Sequence, residues 1–177
     1  MMRTLSVSAM LAATLSLANL AGAQAPHAYA GVKGCTMCHK TEKQGLQGPV
    51  WEKSKHAGAY TTLTTPAADS IAKAKGLTTA AAASPECLKC HAIVGDAKAD
   101  VKDGVQCETC HGAGADYKGM AVMKVRADAV AKGMVAFADK AAIEAMCKNC
   151  HNEKSPTAKA FNFEESWAKI AHKKPAA

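Results

Sequence analysis

Aromatic side chains are scarce in this chain. It holds three Phe, three Tyr and two Trp in 177 residues, so side chains alone are not expected to fill the core of a domain this long. Long apolar runs are scarce too. Leu5 to Leu20 is the one apolar stretch, and no later segment approaches the ~20 residues of a bilayer-spanning helix, so stable membrane insertion of the later residues is not expected. Strand patterns are weak throughout, which leaves a mainly α fold with long irregular loops.

The early apolar stretch reads as an export leader. Arg3 supplies the positive start, and Ala21-Gly22-Ala23 offers the small-x-small pattern that signal peptidase reads. Cleavage after Ala23 is expected, with Ala25 as the second choice. The stretch is short for a membrane anchor and holds Ser and Thr. The reading is therefore a signal peptide over residues 1–23, then a single periplasmic domain over residues 24–177.

No cysteine stands apart. All eight fall into four Cys-x-x-Cys pairs, each followed at once by histidine: Cys35/Cys38/His39, Cys87/Cys90/His91, Cys107/Cys110/His111 and Cys147/Cys150/His151. Local disulfides, the usual reading in an exported chain, do not require those histidines. Zinc ribbons use paired Cys-x-x-Cys but not the histidine after every pair, and a thioredoxin-like dithiol needs a strand-to-helix setting that the sequence lacks. Attachment of c-type haem explains every part of the pattern. Two thioethers fix one edge of the macrocycle, and the adjacent imidazole reaches the iron as proximal ligand. Four haem c groups, each with its iron, would also supply the apolar bulk that the aromatics do not. The apo chain should then be largely unfolded.

The formal charge is +7, or +6 once Arg3 leaves with the leader. It does not call for nucleic acid, because two propionates per haem add about eight carboxylates that offset the lysines. Lysine-rich faces beside haem edges suit acidic redox protein partners.

The first cysteines of the signatures stand at 35, 87, 107 and 147. The short second interval predicts that the second and third haems lie close together, and the unequal intervals argue against a solenoid. Pro49 opens an expected helix from Val50 to about Leu63, with His56, Tyr60 and Leu63 on one face. Thr65-Pro66 starts a short helix that Gly76 closes, and Ala80–Ala83 with Ser84-Pro85 is a linker. Met120 to Lys132 is expected as one helix with Gly133 as its stop. Asp139 caps a helix running into Cys147. Asn162 with Glu165 resembles a capping box opening Phe163 to about His172, which Pro175 ends.

Of seven histidines, four are proximal, leaving His27, His56 and His172 for four sixth positions. If all three bind, three irons carry two imidazoles and the fourth is five-coordinate or takes a methionine from Met120, Met123 or Met134. Methionines at helical spacing are more often core than ligand. Paired imidazoles give lower potentials than His/Met ligation, so a low-potential carrier is expected.

The segments GCTMCHK, WEKSKHAGAYTTL, CLKCHA, GVQCETCHGAGADY, CKNCHN and FNFEESWAKIAHKKP resemble the tetrahaem cytochrome c family. Its type member accepts electrons from hydroxylamine oxidoreductase in ammonia-oxidising bacteria. The likeness runs from about His27 to Pro175. It implies a mostly helical fold with haems in closely stacked pairs, His56 and His172 as distal ligands, and an open iron at Cys87/Cys90/His91. One departure stands out: family members similar to the type protein carry a distal histidine shortly after the third signature, where this chain reads GAGADYKGMAVM, and His27 is the available substitute. The leading functional reading is an electron shuttle between respiratory redox proteins. The alternatives are a reductase acting on nitrite, nitric oxide, hydroxylamine or peroxide at one open iron, and a subunit of a larger cytochrome complex.

Overall fold

The computed structural model describes residues 27–174; the leader, its cleavage site and Pro175 lie outside them. Among the described residues the regular structure is helical, with no strand, as the weak strand patterns require. The α-helices are short: α1 Val32–Thr36, α2 Gln47–Glu52, α3 Ala59–Thr62, α4 Pro66–Ala74, α5 Pro85–His91, α6 Cys107–His111, α7 Met120–Met123, α8 Arg126–Ala131, α9 Lys140–Lys148 and α10 Phe163–Ile170. The first three signatures end on or just after α1, α5 and α6. The fourth begins at the end of α9.

Three caps stand where the sequence puts them. Thr65 Oγ1 accepts the Ala68 N–H, Asp139 Oδ1 the Ala142 N–H, and Asn162 Oδ1 the Glu165 N–H. Each satisfies a donor that the first helical turn leaves unpaired. At the other end of α4, Gly76 takes φ 76°, and the Leu77 N–H bonds back to the Ala72 carbonyl.

Two expected helices are broken, and His172 lies beyond its helix. The segment Val50–Leu63 divides into α2 and α3, because Ser54 accepts the His56 N–H and donates to the Trp51 carbonyl, closing a turn. Contacts distant in sequence hold that turn: the Val105 N–H donates to the His56 carbonyl at 2.9 Å, and Trp51 Nε1–H to the Val105 carbonyl at 2.8 Å. Gly104, at φ 68°, packs so closely on the His56 carbonyl that a Cβ would collide with it. His56 therefore sits in a turn, not on a helix face with Tyr60 and Leu63. Met120–Lys132 divides into α7 and α8 where Val125 is extended. The last helix stops at Ile170, leaving His172 two residues beyond it.

Side chains bury little apolar bulk. Leu63, Ala72 and Ala81 form the one compact cluster among the described residues, joined by Ala68, Leu77, Ala82, Cys87 and Leu88 where α4 meets α5. Three of the seven other buried apolar residues are alanines, and Met120 is 71% exposed, which counts against it as a ligand.

Candidate redox centre

The chain folds its four signatures onto one another. Cys35 and Cys107 lie against each other: the contact, with burial, pushes Cys35 up from the ordinary thiol range, while the same contact pulls Cys107 down against its burial. Burial pushes Cys110 to about 11, with Cys147 as its next influence, and Cys150 to about 12, with Cys90 beside it. These contacts join the first signature to the third and the second to the fourth, with the third against the fourth. The short chain interval between the second and third did not foretell that pairing, because helix packing, not chain length, sets which sites meet. The raised thiols of Cys35, Cys110, Cys147 and Cys150 are the opposite of what a reactive dithiol needs.

Histidines distant in sequence meet in pairs. The rings of His56 and His151 lie 6.1 Å apart, centroid to centroid, and those of His172 and His111 lie 5.9 Å apart. Two imidazoles bound to one iron, each about 2.0 Å from the metal and with roughly 1.1 Å from nitrogen to ring centre, place their centroids about 6.2 Å apart. Both pairs fit that gap. Their interplanar angles of 55° and 46° are compatible with it, since each ring can turn about its own metal bond.

Burial holds His56, His111 and His172 below the ordinary histidine range, and a neighbouring imidazole adds to the effect in each. A neutral imidazole keeps the lone pair that a metal requires. The tail bearing His172 is fixed by Gln47, whose Nε2–H donates to the Lys173 carbonyl at 2.9 Å. Phe161 stacks on His151 at 4.8 Å and 14°. Both line a cavity of about 620 Å³ with Lys148, Lys154 and Lys159, within the size range of cofactor clefts.

The other two signature histidines differ. His91 Nδ1 lies 2.8 Å from the Ala59 carbonyl, which can only accept, so Nδ1 carries the proton and Nε2 keeps its lone pair. No ring contact joins His91 to another histidine among the described residues. His39 Nδ1 is buried without a hydrogen-bond partner. Of the remaining candidates, His27 contacts Asp116 and Gly133. Met123 and Met134 are partly buried. Among the described residues, His27 is not seen to face a signature histidine across such a gap.

Sequence reasoning passed over Glu108 and Tyr117. Glu108 occupies a variable position inside the third signature and is 3% exposed. Its carboxylate accepts the N–H groups of Ala30 and Gly31 at 2.8 Å and of Gly114 at 2.6 Å. It thus ties the segment entering α1 to the third signature. Tyr117 Oη–H lies 2.8 Å from the Gly112 carbonyl and 3.0 Å from that of His111, and burial pushes its phenol up, keeping the donor proton in place. No composition or spacing signal marks either residue.

Residues 34–112 match the family described as cytochrome c554 and c-prime, a span holding the first three signatures. The fold resembles the solved structure of reduced cytochrome c554 from Nitrosomonas europaea, with 26% identity, a TM-score of 0.51, and coverage of 84% of this chain and 80% of that one. A comparison with curated proteins gives no match.

Proposed function

We propose, from the match of residues 34–112 to the cytochrome c554 and c-prime family, that this chain is a periplasmic electron-transfer protein carrying four haem c groups. Residues 1–23 serve as the leader and residues 24–177 as the tetrahaem domain. Cys35, Cys38, Cys87, Cys90, Cys107, Cys110, Cys147 and Cys150 form the thioethers. His39, His91, His111 and His151 are the proximal ligands. His56 with His151, and His172 with His111, would each hold one iron.

The observation that carries this reading is the opposition of those two histidine pairs at 6.1 and 5.9 Å. Thioether-bound iron porphyrin supplies a one-electron couple. The chain's part is to hold imidazoles neutral and correctly oriented, so that little rearrangement accompanies a change of charge. The Ala59 carbonyl does this for His91 by taking its Nδ1 proton in a hydrogen bond. Thiol contacts between signatures support close haem spacing, which electron transfer requires. Paired imidazoles make the carrier a low-potential one. Donor and acceptor are redox proteins met at exposed haem edges, and no described helix is long and apolar enough to cross a membrane.

The test is intact-mass analysis of the exported protein together with a reductive titration. Four covalent haems and four electrons per chain are the expected result. A colourless protein, or a mass lacking those haems, would end the reading.

A further inference from the structure

His91, the imidazole of the second signature, is gripped by the end of α3, far from it in sequence. Its Nδ1 lies 2.8 Å from the Ala59 carbonyl and 3.2 Å from Thr62 Oγ1. The carbonyl can only accept, so the ring proton sits on Nδ1 and is forked between two oxygens. The hydroxyl's own hydrogen is committed elsewhere, because Thr62 Oγ1 donates to the same Ala59 carbonyl at 2.7 Å. The oxygen, the negative end of the hydroxyl dipole, is therefore what faces His91. The Ala59 carbonyl is free for both donors because α3 ends tightly. The Leu63 N–H, which a longer α-helix would give to Ala59, turns to the Tyr60 carbonyl at 2.8 Å. Leu63 is buried in the apolar cluster and anchors this turn, whereas Thr62 is exposed and lies outside the cluster. The first signature has no such support: His39 Nδ1 is buried without a partner among the described residues.

We propose that Thr62 is a positioning residue for the second haem, whose hydroxyl acts through the Nδ1 proton of His91 to hold the potential of that iron down. This rests on the tetrahaem reading above. Acceptors that draw on the Nδ1 proton leave more electron density on Nε2, the nitrogen that keeps its lone pair for the metal. A stronger imidazole donor favours the oxidised iron over the reduced one, and the midpoint potential falls. The Ala59 carbonyl belongs to the backbone, so any residue at that position supplies it. The hydroxyl is what the side chain at position 62 adds. It also fixes the ring's rotation, since two oxygens at the end of one short helix leave the Nδ1–H a single direction to point. The second iron is thus tuned from its proximal side by a residue that the signature itself does not contain.

Two variants test this in the holoprotein, with intact mass confirming four covalent haems in each. Thr62→Val keeps the shape of the side chain, and its methyl group fills the hydroxyl's place so that water cannot act as the acceptor. Thr62→Ser keeps the hydroxyl and loses only a methyl. A redox titration followed by nuclear magnetic resonance reads the four midpoint potentials haem by haem, because each haem's methyl signals report its own oxidation. Thr62→Val should move the potential of the haem on Cys87 and Cys90 upward and leave the other three in place. Thr62→Ser should keep all four at their parent values. Four unmoved potentials in Thr62→Val, a downward shift, a shift confined to another haem, or an equal shift in Thr62→Ser each overturns the proposal. Should Thr62→Val load fewer than four haems, Thr62→Ala takes its place, with the same upward shift expected and the same results against it. A parent protein lacking four haems would instead contradict the underlying reading.

Discussion

Glu108 shows how much one residue can hold together. Its buried carboxylate satisfies three backbone donors from two separate segments. Removing it strands those donors, and bonds to a charged group are each worth about 1.5–3 kcal/mol. Glu108→Ala should therefore lower unfolding free energy by on the order of 3–5 kcal/mol in a denaturant titration followed by circular dichroism. Glu86→Ala is the control. Its partner pair with Lys89 is exposed on both sides, and the change should stay within about 0.5 kcal/mol. The histidines set the pH dependence. Burial keeps His56, His111 and His172 below their ordinary range, so between that range and the lower folded values the unfolded chain binds more protons than the folded one. Their contribution is complete above about pH 6.5 and is lost as the pH falls below it. The denaturation midpoint should drop between about pH 7.5 and about pH 5; a midpoint that rises on acidification would contradict the burial of these rings.

At the scale of elements, the caps were legible because they depend on neighbours three residues apart. Thr65, Asp139 and Asn162 each take the bond that their local sequence announces. Asp139→Ala should cost about 1 kcal/mol, loosening the helix that delivers Cys147, as measured by chemical denaturation. The breaks were not legible. The turn at His56 answers to Val105 and Gly104, distant in sequence, and nothing in the pattern of residues 50–63 reveals that pull. The same limit applies to the site. The signatures and the usefulness of His56 and His172 can be read from residue type and spacing. Which signature each one meets depends on packing between segments, as does the role of Glu108.

Across the whole molecule, the described side chains bury too little apolar surface to explain a stable fold of this length. The compact cluster holds three leucines among alanines and Cys87, and the buried aromatics are Tyr117 and Phe163. On the proposed reading, haems would supply the missing apolar bulk, so folding and cofactor attachment should be coupled. A chain produced without haem attachment should show the far-ultraviolet spectrum of a largely unfolded polypeptide; cooperative unfolding of a helical apo form would contradict that coupling. The contacts between signatures set the first against the third, the second against the fourth, and the third against the fourth. That network brings all four signatures together, as close haem spacing on the proposed reading requires. The most direct test of opposed imidazoles is a quantitative electron paramagnetic resonance spin count on the oxidised, fully loaded protein. The predicted result includes at least two low-spin irons with paired imidazoles, at the third and fourth signatures. Four high-spin irons would contradict it, because His56 and His172 would then be facing their partners without sharing a metal.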